Sequence, residues 1–166
     1  MLRPAAPADT PALIALAAAT GVFQPGEAEG LLGGVLEELH AGRLGADHVA
    51  QVWADAPDAP PVGWVYFAPT PNANRVWDLW WIGVAPTRQG QGVGDELLRS
   101  VEGHVRAAGG RLLVIETSSQ PTFDPVRRFY AARGYAECGR VPDFYADGDG
   151  KVIVAKRLAA RAGGKG

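Results

Sequence analysis

The apolar positions of the chain follow two periods. Leu31, Leu32, Val35, Leu36 and Leu39 recur at helical spacing, as do Leu97, Leu98, Val101 and Val105. Helices are therefore predicted over residues 25–41, where Gly33 and Gly34 weaken the segment, and from the glycines before Leu97 to about Ala108. Another helix is predicted over 10–20, with Thr10 as N-cap, Pro11 in its first turn and Gly21 at its end. Asp124-Pro125 repeats that cap-and-proline pair and opens a helix carrying Val126, Phe129 and Tyr130, closed by Gly134. Short apolar or alternating runs predict strands at 2–5, 48–54, 62–68, 77–84, 111–117, 135–141 and 151–158. Turn-rich stretches at 55–61 and 69–74 separate them. Helices, then antiparallel strands, then strand–helix–strand–helix–strand, define an α/β chain with a mixed sheet.

The segment 84–98, VAPTRQGQGVGDELL, joins the predicted strand 77–84 to the helix that follows. Pro86 ends the strand, and Gly90, Gly92 and Gly94 precede the helix. Glycine lets backbone N–H groups turn toward one point and lets a ligand approach, while a helix start adds unpaired N–H groups and a positive dipole end. Strand, glycine loop and helix thus form an anion cradle. A Walker loop counted from Gly90 would need glycine and lysine where Asp95 and Glu96 stand, and a dinucleotide fingerprint would also need glycine at Asp95.

The pattern Q/R-x-x-G-x-G/A is met by Gln89, Gly92 and Gly94, and with Val84-Ala85-Pro86 leading in, the stretch resembles the acetyl-CoA loop of the GCN5-related N-acetyltransferases (GNATs). Phe129 to Tyr135, FYAARGY, is similar to that family's Y-x-x-x-G-F/Y segment. The asparagine usual seven residues before the tyrosine is replaced by Phe123. The resemblance implies a mostly antiparallel central sheet flanked by helices, with the acetyl-CoA loop between the fourth strand and the third helix. It implies one acetyltransferase domain over residues 1–158; residues 159–166 are expected to form a loose tail. It assigns Val84, Arg88, Gln89, Gly90, Gln91, Gly92, Val93 and Gly94 to acetyl-CoA. It also implies an acceptor site lined between the first two helices, where Phe23, Glu27 and Glu29 stand. A non-catalytic CoA-sensing or partner-binding domain on the same fold is the rival reading.

Composition narrows the partners. The net charge is −2, without a basic block, which disfavours nucleic acid and anionic membranes. Cys138 is the sole cysteine, so an internal disulfide is excluded; it reads as a small buried residue. His40, His48 and His104 lack ligand spacing, and no metal is expected. Arg3 followed by the apolar stretch 12–19 could pass for a signal peptide, but Asp9 and the prolines at 4, 7 and 11 favour a helix of a cytoplasmic protein. Asp147-Gly148-Asp149-Gly150 lacks the later residues of a calcium loop and reads as a hairpin turn. A monomer or homodimer is expected.

Acetyl transfer to an amine needs a held pyrophosphate, a donor for the carbonyl oxygen and a route for the amine's proton, since a lysine-like amine has a pKa of about 10.4. The resemblance gives the donor role to the Val84 N–H and places Tyr130 as the acid that returns a proton to the thiol. For the base there are two candidates. Alternation puts Glu116 on the face of Leu112 and Val114, and Asp78 on the face of Trp80, Ile82 and Val84. Asp78, Glu116, Asp143, Asp147 and Asp149, with Trp80, Phe144 and Tyr145 near them, point to a small cationic amine as acceptor.

Overall fold

A computed structural model describes residues 1–21 and 26–159. Phe23 and most of the predicted tail therefore lie outside the described residues. The elements are β1 (Leu2–Pro4), α1 (Thr10–Ala19), α2 (Glu27–His40), β2 (Val49–Trp53), β3 (Gly63–Pro69), β4 (Val76–Val84), α3 (Val93–Ala107), β5 (Leu112–Ser118), α4 (Asp124–Ala131), β6 (Ala136–Ala146) and β7 (Asp149–Arg157). Strands hydrogen-bond in the order β1-β2-β3-β4-β5-β7-β6. The β4–β5 pair is parallel, whereas β1–β2, β2–β3, β5–β7 and β6–β7 are antiparallel. The chain divides into two compact units, Met1–Ala68 with Trp80–Val101, and Pro69–Leu79 with Glu102 onward. Both β4 and α3 contribute residues to each.

In unit one, the alternation of β2 and β3 sorts side chains to two faces. Ala50, Val52, Trp64 and Tyr66 meet Leu13, Leu16 and Ala17 of α1 and Ala28, Leu32 and Leu36 of α2 in one core cluster. The apolar stretch with signal-peptide character is thus a core helix, and among the described residues no helix is long and apolar enough to cross a membrane. Leu31 departs from expectation: it is 53% exposed, because the α2 stripe runs through Leu32 and Leu36. On the other face, Gln51 Oε1 accepts from Ser100 Oγ (2.7 Å) and Trp53 Nε1 donates to Glu96 (2.7 Å), which fastens the first turns of α3 to β2.

Unit two packs Leu113, Ile115, Val152, Val154, Tyr130 and Tyr135 as buried residues. Glu102 is buried with them, and its carboxylate accepts from Tyr135 Oη (3.0 Å), Lys156 Nζ (2.8 Å) and Arg106 Nη2 (3.3 Å). A buried carboxylate with cations and a phenol around it is compensated for lost hydration. Burial first, and then the Glu102 charge, raise the Tyr135 pKa.

Several expectations shift by a residue or a face. The α1 N-cap is Asp9, not Thr10, and it follows a 3₁₀ turn at Pro7–Asp9. The α4 N-cap is Phe123, so Asp124 sits inside the helix and pairs with Arg127. Cys138 is exposed on β6, an edge strand that buries little on either face, and is not a core residue. The Asp147-Gly148 turn joins β6 to β7 as expected, but β6 is longer than predicted and contains Asp143, Phe144 and Tyr145.

Asp9 takes up the polar groups of its neighbourhood. It accepts from Arg3 Nη1 (2.7 Å) and Nη2 (2.9 Å) and from the Ala6 N–H (2.8 Å). The Arg3 hydrogen bonds, with help from the Ala6 N–H, hold its carboxyl below the usual range. A lowered folded-state proton affinity adds stability in full above about pH 4, and that contribution is lost as pH falls through the folded value. Asp9→Asn should cost about 1–3 kcal/mol at pH 7. In urea titrations the gap to the parent should narrow below about pH 4; a gap unchanged down to pH 2 would remove the ion pair as its cause.

Candidate functional site

The glycine loop begins where β4 ends. After Ala85, whose N–H donates to Val62 (2.8 Å), a 3₁₀ turn spans Pro86–Arg88. Gly90 (φ +74°) and Gly92 (φ +86°) both take left-handed backbone, which explains glycine there. A Cβ at either would meet nothing within 4 Å, so the loop has open space beside it. The bond from Glu96 N–H to the Gly92 carbonyl (3.1 Å) opens the α3 ladder. By helix geometry the N–H groups just before it have no carbonyl of their own.

The loop's side chains fold back on its own backbone. Gln89 Nε2 donates to the Val84 carbonyl (3.3 Å) and Gln91 Nε2 to the Thr87 carbonyl (3.0 Å). The glutamines thus act as braces of the loop. Arg88 donates through both Nη atoms to Asp55 (2.7 and 2.8 Å) and lies over the Trp53 ring at 5.4 Å. Its Nε is buried without a partner. The Arg88 hydrogen bonds hold the Asp55 carboxyl below its usual range. Val93 is buried, so only its backbone can serve the loop. Orphaned Arg88 Nε and the open space at Gly90 and Gly92 fit a bound anionic group.

The seat of α3 depends on Gly63. A Cβ there would come within 2.8 Å of Val93 Cγ1 and 3.0 Å of Leu97 Cδ1. The loop-bearing helix therefore lies directly against the β3 backbone.

The other predicted residues are in unit two. Asp78 pairs in register with Val114, placing it and Glu116 on one face of adjacent strands. Burial raises the Asp78 pKa; the Thr70 hydroxyl opposes this and the Glu116 charge adds to it. Thr70 Oγ1 itself is buried and short of hydrogen-bond geometry with any partner. Glu116 is not the isolated carboxylate among apolar neighbours that alternation suggested. The buried face of β5 is that of Leu113, Ile115 and Thr117; Glu116 is half exposed on the opposite face and binds Lys151 Nζ at 2.9 Å. Tyr130 is buried, with Phe129 and Tyr135 edge-on at 5.5 and 5.7 Å between ring centres. Burial raises its pKa, so the phenol keeps its proton. The loop residues thus come together in unit one, and Asp78 and Glu116 in unit two. Sequence reasoning missed Asp55, Gly63 and Lys151. Lys151 alone had a readable signal, since alternation in β7 sets it on the open face with Ile153, opposite Ser118.

The model of the acetyltransferase (GNAT) family matches residues 31–135. A solved structure from Desulfovibrio desulfuricans, described as an acetyltransferase of the GNAT family, is 34% identical, with a TM-score of 0.86 over 96% of this chain and 99% of that one. An aminoglycoside 6'-N-acetyltransferase complexed with coenzyme A is 19% identical (TM-score 0.74, covering 98% and 99%). The ribosomal-protein-S18-alanine N-acetyltransferase from Escherichia coli is 17% identical (TM-score 0.75, covering 99% and 97%). The last two share the fold. No curated protein matches. The chain belongs to the GNAT family of acetyltransferases, an enzyme family that uses acetyl-CoA.

Gly63→Val should cost about 1–3 kcal/mol, the usual range for forcing extra atoms into a packed site. Urea unfolding measures it, and an unchanged midpoint would mean α3 can move off β3 freely.

Proposed function

We propose that the protein transfers the acetyl group of acetyl-CoA to the primary amine of a small cationic acceptor, by direct attack with both substrates bound. The observation that carries this is the loop at 88–94: two left-handed glycines beside open space, a buried guanidinium N–H without a partner, and the start of α3. Backbone N–H groups from Gln89 to Gly94 would hold the pyrophosphate, with Arg88 adding charge through Nε while its Nη atoms stay on Asp55. Bound acetyl-CoA supplies the activated acetyl group. The Val84 N–H would meet the carbonyl oxygen as it gains charge, and Gln89 would steady that strand end through the Val84 carbonyl. A carboxylate, Asp78 or Glu116, would take the amine's proton. Tyr130 would hydrogen-bond the departing sulfur; its raised proton affinity keeps the phenol neutral, as a donor must be. The solved structures named above include an aminoglycoside 6'-N-acetyltransferase and a ribosomal-protein-alanine N-acetyltransferase, which is consistent with an amine acceptor. A cationic acceptor is favoured by the carboxylates of Asp78, Glu116 and Asp149, of which Glu116 is already paired with Lys151, together with the exposed ring of Tyr145.

Calorimetry with millimolar acetyl-CoA should show binding, and thiol release with an amine library should identify the acceptor. Binding without turnover on any amine would favour a CoA-sensing domain. Gly92→Val should abolish acetyl-CoA binding in a protein that still folds, because a branched side chain strains a φ of +86° and fills the open space. Unchanged affinity in a folded variant would take the loop out of the site. Tyr130→Phe should lower kcat by about 10²-fold, the low end for a general acid, with acetyl-CoA affinity little changed. Full activity would exclude Tyr130 as the proton donor.

A further inference from the structure

The face that holds Asp78 and Glu116 also holds a cation of its own. Glu116 lies opposite Ile153 in the β5–β7 register, and Lys151, two residues before Ile153, shares its face. Asp78, Glu116 and Lys151 thus form a row across β4, β5 and β7, with Glu116 in the middle. Lys151 Nζ donates to Glu116 Oε2 at 2.9 Å and lies 3.6 Å from the centre of the Phe144 ring. The lysine side chain is only 13% exposed, against 48% for Glu116. It is an enclosed ammonium, held between a carboxylate and a π face, unlike a solvated surface lysine.

We propose that Lys151 is a positioning residue that commits Glu116 to a standing ion pair and leaves Asp78 as the carboxylate that takes the acceptor amine's proton. The inference rests on the reading of the chain as an amine acetyltransferase.

Three observations support it. First, the lysine is built into place. Phe144 sits in a bulge, where Val141 to Ala146 of β6 oppose only Lys151 to Asp149 of β7. Within the bulge Asp143 takes a left-handed φ of +52°, and its Oδ1 accepts from the Gly148 N–H at 2.7 Å. Tyr145 packs edge-on against Phe144 at 5.1 Å. Second, Asp78 has no cation partner among the described residues. The groups that face it are Thr70 from the β3–β4 turn and Glu116 from β5. Beyond Glu116 stand Lys151 and Asp149 of β7 and Tyr145 of β6. Third, two carboxylates on one face do not release their protons equally. The Glu116 charge beside Asp78 makes Asp78 hold its proton longer. Burial of Asp78 acts in the same direction. A base that is held back in this way suits proton abstraction near neutral pH.

The test follows the Asp78 carboxyl by ¹³C NMR titration, alongside the pH profile of kcat/KM with an acceptor found by screening. Lys151→Met leaves the Glu116 charge unbalanced, so Asp78 should bind its proton about threefold to tenfold more tightly. The acid limb of kcat/KM should move to higher pH with it. Lys151→Arg should restore both. Glu116→Gln should move both to lower pH, whereas Asp78→Asn should lose the limb and most of the rate. An Asp78 midpoint unmoved in folded Lys151→Met, or an acid limb lost in Glu116→Gln and kept in Asp78→Asn, overturns the assignment. The carboxyl midpoint is read without turnover. A protein that acetylates no amine would therefore overturn the activity, while the Lys151→Met titration still decides on the lysine.

Discussion

The loop-bearing helix sets Val93 and Leu97 directly on the sheet backbone at a glycine, and the candidate cofactor site depends on that close contact. Helices usually stand off a sheet by the length of their contact side chains. Gly63 removes that spacer where Val93 and Leu97 come down on β3. Two polar links then fix the first turns of the helix, Trp53 to Glu96 and Gln51 to Ser100, and the Arg88–Asp55 pair anchors the loop to the turn after β2. With the helix start held in this way, its free N–H groups keep a fixed direction. A binding loop made of flexible residues gains affinity from such prior ordering, because less freedom is lost when a ligand arrives.

Much of this was readable from the residues alone. The number and type of elements followed from apolar period and from glycine and proline positions, and the loop was legible because its glycines stand at motif spacing between a strand and a helix. What escaped depends on contacts distant in sequence. Whether Asp55 meets Arg88, or Lys151 meets Glu116, is set by strand order, which pattern alone does not give. The environment of Glu116 was misjudged for a related reason. Alternation separates two faces correctly but does not say which is covered, and on β5 the covered one belongs to Leu113 and Ile115. Cap positions at Asp9 and Phe123 differed by one residue because a 3₁₀ turn precedes each helix, a common uncertainty at helix ends.

Unit two deals with charge in two ways. Glu102 is buried, and a phenol, a lysine and an arginine surround it, so every direction of approach is used and its role is to hold α3, β7 and the Tyr135 segment together. Glu116 and Asp78 are less enclosed and less completely partnered. Acids in full hydrogen-bond networks stabilise, whereas those left with spare capacity are available for chemistry. The contrast within one unit sets Glu102 apart from the other two acids.

The irregular end of β6 has a bearing on solubility. This strand closes one edge of the sheet, and a straight edge offers a row of free amide and carbonyl groups to any other extended chain. Here the regular ladder stops near Val141. Pro142 has no N–H to offer, and Asp143 turns the backbone out of the strand conformation. A foreign strand that began to add along β6 would lose its hydrogen-bonding register within a few residues. The same kink that presents the rings of Phe144 and Tyr145 to solvent thus guards the sheet against growth into an aggregate.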